Sequence, residues 1–161
     1  MTVSAPSRGL AIGGVMAIVG GVLTIVGTLL PWERVDAALA AAANTSKSPI
    51  GVEFDDGKIF VFVAILAIVS SGCFLGARWL PAGLVAPVGR LLGNGAALSA
   101  LAGGYVVCFS ILNLRDLAAD ADRLNGAIAG IASVGIGIYL DLAAGVVILA
   151  GAAIGLLVGR D

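Results

Sequence analysis

Four long apolar runs, separated by shorter polar stretches, dominate the pattern of hydrophobic and polar positions along this chain. As helices that rise about 1.5 Å per residue, runs of this length cross about 30 Å of hydrocarbon. Asp141 is the only charged side chain inside them. The pattern predicts an all-α integral membrane protein: a single domain over residues 1–161, built as a transmembrane four-helix bundle with two extracytoplasmic loops. The runs cover residues 9–30, 59–77, 91–113 and 139–159.

The composition agrees with a lipid environment. Hydrophobic residues make up 60% of the 161 residues, and charged residues only 12%. This leaves too little polar surface to cover a water-soluble globule. The net charge of −1 and the lack of a basic patch exclude nucleic acid as a partner.

The first run has some features of a secretory signal, because Arg8 precedes it and small residues follow at 37–43. Its apolar part is about 22 residues long, however, whereas a signal core has about 7–15. The polar stretch at 31–34 also separates the run from any cleavage-like triplet. We therefore expect it to be an uncleaved transmembrane helix.

The charges between the runs predict the orientation. Residues 78–90 form a short loop with an arginine at each end and no acidic residue. Short basic segments next to helix ends favour the cytoplasmic side of a membrane. Both termini would then face the cytoplasm, and the two longer loops would lie outside. Arginine-rich, alanine- and glycine-rich composition points to a bacterial plasma membrane.

A cluster of charges directly precedes the second run. Residues 55–57, Asp-Asp-Gly, are typical of a turn in which glycine takes a positive φ, and the aspartates can cap a helix that begins at Lys58 or Ile59. Carboxylates there also lie at the positive end of the helix dipole. The alternative is an anionic surface for a cation or a partner, although the spacing does not match an EF-hand loop. The cluster consists of Glu53, Asp55, Asp56 and Lys58.

Small residues recur at helical spacing inside the runs, and three glycines of the first run are seven residues apart. Lipid gives no hydrophobic drive between helices, so close backbone approach at small residues must hold them together. Chance is the alternative in a chain so rich in alanine and glycine. The predicted packing positions are Gly13, Gly20, Gly27, Ala100, Gly104, Gly151 and Gly155.

The outer ends of the four predicted helices collect polar and aromatic residues at one level of the membrane. Asp141 lies about 27 Å of helix from Gly159, which favours an interfacial carboxylate over a proton-relay acid at mid-membrane. Because unpaired charges at such a rim are costly, we predict that Lys58 or Arg115 pairs with Asp141. The rim is then a candidate surface for an extracytoplasmic partner or ligand; separate interfacial anchors are the alternative. It consists of Trp32, Glu33, Asp56, Lys58, Asn113, Arg115 and Asp141.

The outer loops contain two possible surface helices. Residues 114–126 place apolar residues on one helical face and charges on the others, as expected of a short helix lying on the membrane. The apolar face consists of Leu114, Leu117, Ala121 and Leu124. Residues 34–44 are a second candidate. Asn44 begins a glycosylation sequon, which has little weight in a bacterial chain.

Residue types that support catalysis are scarce. The chain has no histidine. Cys73 and Cys108 are predicted about 18 Å apart along the membrane normal, and a disulfide needs Cα atoms within about 7 Å. No haem, iron–sulfur, zinc or nucleotide-binding pattern is present, nor a pair for nucleophilic catalysis. We expect no enzymatic activity, no metal and no cofactor.

Three short motifs suggest a relationship. The order LPW after the first run, DDGK before the second and GIGIYL at the fourth resembles small four-span membrane proteins of bacteria, particularly actinobacteria, most of them without an assigned function. LPWERV is also faintly similar to the start of the first extracellular segment of claudins. The later Gly-Leu-Trp and cysteine pair of claudins are absent, so no claudin property is carried over.

Two function classes fit these features. The first is a non-enzymatic accessory or structural subunit of a larger membrane complex, or a homo-oligomeric scaffold, whose partners are the lipid bilayer, other subunits or copies of itself. The second is a small transport or lipid-binding protein with a cavity between the helices. Transporters usually place charged or amide groups at mid-membrane. Here that level offers only small hydroxyl residues such as Thr24, Ser71 and Ser99, which favours the first class.

Overall fold

The computed structural model describes residues 8–42, 48–76, 95–127 and 130–158. Long helices make up most of them. The predicted loop at 78–90, and with it the basis of the predicted orientation, lies outside the described residues. In chain order the elements are α1 (Arg8–Thr28), β1 (Glu33–Val35), α2 (Ala37–Ala42), a 3-10 turn (Gly51–Glu53), α3 (Asp55–Gly76), α4 (Gly95–Ala127), β2 (Ala132–Val134) and α5 (Ile136–Val158).

Three of the described helices are long and apolar enough to cross a membrane. The apolar stretches that qualify are Ala11–Thr28, Gly95–Gly126 and Ile136–Leu157. This identifies a multi-pass helical membrane protein. The 22-residue helix α3 is of similar length, but its first turn carries Asp55, Asp56 and Lys58. Helix α2, at six residues, is too short to span.

The four long helices pack side by side, and each contacts two neighbours. Helix α1 lies between α5 and α3, and α4 packs against the same two helices from the other side. Side chains that point outward are mostly large and apolar, for example Val15, Val22, Phe62 and Leu101. Small residues and hydroxyls fill much of the interior. Large apolar side chains on the outside and small residues inside are the arrangement expected of a protein surrounded by lipid.

Glycine brings α1 and α5 into close contact. A Cβ atom added at Gly20 would lie 2.9 Å from the carbonyl oxygen of Ala144, and one at Gly13 would lie 3.1 Å from the backbone nitrogen of Gly155. Gly27 and Gly151 are equally enclosed by the facing helix. Four of the predicted packing positions therefore lie at one backbone crossing.

Two other predicted packing positions differ from that arrangement. A Cβ built at Gly104 would have no atom of another described helix within 4 Å, so this glycine does not lie at a contact between the described helices. At Gly155 an added Cβ would meet Ala96 at 3.5 Å, an ordinary contact. Ala100 is half-buried on α4. The spacing of small residues repeats along a helix, but it does not tell which face meets a neighbour.

Helix α4 corrects the prediction of a separate surface helix at 114–126. Residues 95–127 form one continuous helix of 33 residues. The predicted apolar face exists, since Leu117 and Ala121 are buried, but it packs inside the molecule. Leu117 joins a core cluster with Trp32, Phe60 and Ile138. The second predicted surface helix corresponds in part to α2.

A small polar cap covers the end of the molecule where α1 and α4 finish. It consists of the described residues between α1 and α3 and those between α4 and α5, which include β1 and β2. Strands β1 and β2 pair antiparallel, with Arg34 opposite Ser133. Proline at 31 cannot continue α1, and its carbonyl accepts a hydrogen bond from Gly137 at 2.9 Å. The predicted turn at 55–57 is wrong, because α3 begins at Asp55 and Gly57 lies in its first turn. The backbone of Gly51 packs directly against Gly57 and leaves no room for a side chain there.

Candidate functional site

The centre of the predicted rim is a hydrogen bond between Trp32 and Asp141. The indole Nε1 of Trp32 donates to Oδ2 of Asp141 at 3.0 Å, and both residues are 0% exposed. Trp32 follows the end of α1, whereas Asp141 lies in the second turn of α5, so the bond joins residues 109 positions apart. An indole can only donate a hydrogen bond, and a carboxylate is a strong acceptor.

The backbone around Trp32 is held by two other segments, residues 49–51 and 135–137. Its N–H donates to the carbonyl of Pro49 at 3.0 Å, and its carbonyl accepts from Gly135 at 2.7 Å. Glycines at 51 and 137 pack against the indole so closely that a side chain on either would overlap it. The position of the indole is therefore fixed by the cap as well as by α5.

Aromatic rings complete the environment of the indole. Trp32 stacks on Phe54, with ring centroids 5.4 Å apart, and meets Phe60 at 5.5 Å. Phe60 in turn contacts Tyr105 edge-on, and Tyr105 stacks on Phe109. Such pairs stabilise by about 0.5–1.5 kcal/mol beyond the area they bury. The aromatic series connects the cap to α3 and α4.

The predicted ion pair of Asp141 is wrong. Lys58 instead pairs with Asp55 at 2.8 Å on the exposed surface, and Arg115 is exposed on α4. The second oxygen of Asp141, Oδ1, is buried without a hydrogen-bond partner among the described residues, and the backbone of Gly27 packs against it. Asp141 does lie at the level of Trp32, but the carboxylate points inward, where neither cation reaches it.

Two other members of the predicted rim do meet. The amide of Asn113 donates to Asp56 Oδ2 at 3.1 Å and to the carbonyl of Phe109 at 3.0 Å. The bond to Asp56 ties α4 to the start of α3. Asp56 thus acts as a link between helices, in addition to its place in the first turn of α3.

Other charges of the cap have local roles. Glu53 accepts a hydrogen bond from the backbone of Ile50 at 3.1 Å. The hydrogen bond and positive charge of Lys58 lower the pKa of Asp55. Burial raises the pKa of Glu33, and the negative charge of Asp120 raises it further. No group of three metal-binding side chains occurs among the described residues.

Sequence reasoning missed Asn125, which links α4 to the cap. The side-chain amide of Asn125 donates to the carbonyl of Ala132 at 2.8 Å and accepts from the N–H of Ala132 at 3.1 Å. This pairing joins the last turn of α4 to β2. A usable signal was the asparagine followed by Gly126, because asparagine often bonds to backbone near chain reversals.

Comparison with protein-family models, with curated proteins and with solved structures finds no match. The resemblance to small bacterial four-span proteins therefore has only the sequence motifs behind it. Arguments about function depend on the residues and geometry described above.

Proposed function

We propose that this chain is a four-span protein of a bacterial plasma membrane that has no enzymatic activity and acts as an accessory or structural subunit, either of a larger membrane complex or of an assembly of its own copies. Both termini face the cytoplasm, and the polar cap faces outward.

The direction of the chain supports α3 as the fourth span. Helices α1 and α4 both end at the cap, and α5 starts there, since β1 pairs with β2. After the cap segment that ends at Phe54, the chain must therefore return to the opposite end before α4 begins at Gly95. Helix α3 runs antiparallel to α1: a Cβ on Gly21 would lie 3.0 Å from the carbonyl of Ala64, and one on Gly14 would lie 3.2 Å from Leu75. This contact therefore runs along at least two turns of both helices.

The observation that carries the structural role is the bond between Trp32 and Asp141. An acidic residue inside a membrane is by default a candidate for transport or proton transfer. Here the acid accepts a hydrogen bond from a buried indole and packs against glycine backbone, so it fastens the cap to the helices. The only charged side chain of the four apolar runs is thus used for architecture.

The surface offers two regions for partners. The outward faces of the long helices are apolar and suit lipid or the helices of another subunit. The last turns of α4 extend past Asn113 into the cap and expose charges of both signs. These exposed residues are Arg115, Asp116, Asp120, Asp122 and Arg123. Exposed charges of both signs suit contact with an extracytoplasmic partner.

A transport or lipid-binding role is the second candidate. The observation that favours it is a pair of buried polar atoms, Ser110 Oγ and Asp141 Oδ1, that have no hydrogen-bond partner in the described part of the chain. Such atoms occur where a small ligand or ion completes a site.

Native mass determination after gentle extraction from the membrane tests the proposal. Photo-crosslinkers at Asp116 and Asp122 on the exposed part of α4, with one at the buried Ala121 as control, then locate the contact. A stoichiometric foreign subunit, or a defined multimer, captured from the exposed positions supports the accessory role. A monomer that retains only lipid, with no crosslink from either exposed position, contradicts it.

A further inference from the structure

Two buried polar atoms of the interior have no hydrogen-bond partner among the described residues. They are Oγ of Ser110 on α4 and Oδ1 of Asp141 on α5, and both residues are 0% exposed. Leaving one such atom unpaired costs about 1–3 kcal/mol, and more when the group is charged. Two in the same part of the molecule call for a shared explanation.

The packing of α4 against α5 brings these two residues to the same level. A Cβ on Gly103 would lie 2.9 Å from the backbone nitrogen of Leu149, and one on Gly145 would lie 3.0 Å from Val106. The helices are therefore antiparallel, and each step forward along α4 is matched by a step back along α5. One turn beyond Val106 is Ser110, and one turn before Gly145 is Asp141.

Both side chains also face the interior. Ser110 follows Val106, which is fully buried in the core cluster with Trp32 and Phe60. Asp141 is held inward by Trp32, which occupies only Oδ2. The serine hydroxyl and the second carboxylate oxygen thus lie at one level of the interior without bonding to each other.

We propose that Ser110 Oγ and Asp141 Oδ1 bind a single internal water molecule, which donates one hydrogen bond to each and so joins α4 to α5. This goes beyond the proposed function, since it holds whatever the protein assembles with. A water molecule can donate to the carboxylate oxygen, which only accepts, and to the hydroxyl oxygen, which can accept as well as donate. It also gives Asp141 a donor on each oxygen, Trp32 on one and water on the other, without a basic side chain. Buried waters typically make two to four such bonds to groups that are otherwise unsatisfied.

The direct test is an experimental map of the wild-type protein in lipid nanodiscs that resolves other buried waters. We expect a single density about 2.7–3.2 Å from both atoms, and its loss in Ser110→Ala. An empty map at this position overturns the proposal. So does a direct bond between the two side chains, or a density with five or six oxygen neighbours that depends on sodium, which would be a cation site.

Stability gives an independent measurement. Ser110→Ala should raise the unfolding constant about tenfold, because Oδ1 of Asp141 loses its donor. Ser110→Thr keeps a hydroxyl and should therefore lose less stability than Ser110→Ala. Ser133→Ala is the matched control because Ser133 is exposed on β2. Equal stability of Ser110→Ala and Ser133→Ala would contradict a bridging water.

Discussion

At the scale of single residues, the bond between Trp32 and Asp141 explains how a carboxylate is kept inside an apolar molecule. An indole N–H supplies a donor without adding a charge, and its ring fills the surrounding space. The alternative, a lysine or arginine partner, would bring a second charge out of water at a further desolvation cost.

Removing the donor should therefore destabilise the protein more than neutralising the acceptor. Trp32→Phe leaves Asp141 without its protein donor, and we expect a loss of about 1–3 kcal/mol. Asp141→Asn should cost less, because the amide oxygen still accepts from the indole. The measurement is thermal or denaturant unfolding in detergent, with the exposed Tyr139→Phe as control. If Trp32→Phe and Tyr139→Phe match, the bond does not stabilise the fold.

Glu33 predicts a pH dependence. Because burial and Asp120 raise its pKa above the usual 4.5, the folded state holds the proton more tightly than the unfolded state. Its contribution to stability should therefore increase as the pH falls through the raised folded pKa, and level off below about 4.5. Above the folded pKa the carboxylate costs stability.

Glu33→Gln should thus be more stable than wild type near neutral pH, with a gain that shrinks toward pH 4.5. Since Glu33 is only half-buried, we expect less than about 1 kcal/mol. Melting temperatures across this range, with the exposed Asp122→Asn as control, measure the effect. If the melting temperatures of Glu33→Gln and wild type differ by the same amount at all pH values, Glu33 does not cause the pH dependence of stability.

The contacts of individual side chains were the feature that the sequence predicted least well. Helical rise placed Asp141 near the level of Trp32, Asn113 and Asp56. Two pairs of that group do meet, Trp32 with Asp141 and Asn113 with Asp56. The direction in which each side chain points depends on how the helices are rotated. Periodicity does not determine this, so the partner of Asp141 was predicted wrongly.

At the scale of elements, the helix contacts depend on glycine positions that share a spacing but not an environment. Gly20 and Gly104 are both helical glycines. One lies against the backbone of α5, whereas the other faces open space.

The same substitution at both positions should have opposite effects. Gly20→Ala places a methyl group against Ile148 and the carbonyl of Ala144, and we expect a loss of about 1–3 kcal/mol. The methyl group of Gly104→Ala contacts no other described helix, so this variant should be more stable by up to about 1 kcal/mol through the higher helix propensity of alanine. Unfolding of both variants in the same detergent makes the comparison. Equal effects would mean that α1 and α5 do not cross at Gly20.

Asn125 connects an end of α4 to β2, and its loss should loosen the cap. Asn125→Ala removes two hydrogen bonds to Ala132, which is buried, so we expect a cost of about 1–3 kcal/mol. Hydrogen exchange should increase at residues 132–134, whereas in Asp122→Ala, an exposed change in the same helix, it should not. Unchanged exchange in Asn125→Ala would contradict this role.

Helix α4 shows why element boundaries were only partly predictable. Its apolar run ends at Asn113, where a membrane would end, and the charges beyond suggested a new helix on the surface. Nothing in that stretch breaks a helix, however: residues 114–124 contain neither glycine nor proline. The helix therefore continues, and Leu117 reaches the core under the cap.

At the scale of the whole molecule, the apolar runs predicted the ends of the long helices to within a few residues, except that α4 continues past its run to Ala127. Length and hydrophobicity are enough to determine the spans, but not how far a helix extends beyond them. The cap was not predicted, since strands of three residues, paired across almost 100 positions, leave no periodic signal. The account as a whole requires the chain to cross the membrane four times, with the cap on the outer side.

Labelling of single cysteines in intact cells tests this most directly. In a background with Cys73 and Cys108 replaced by serine, a cysteine at Ser46 or at Ser133 should react with a membrane-impermeant maleimide. A cysteine at Val85 should react only after the membrane is opened. If 46 and 85 label together, α3 does not cross the membrane, and if the pattern is reversed, the cap faces the cytoplasm; either result would contradict the account.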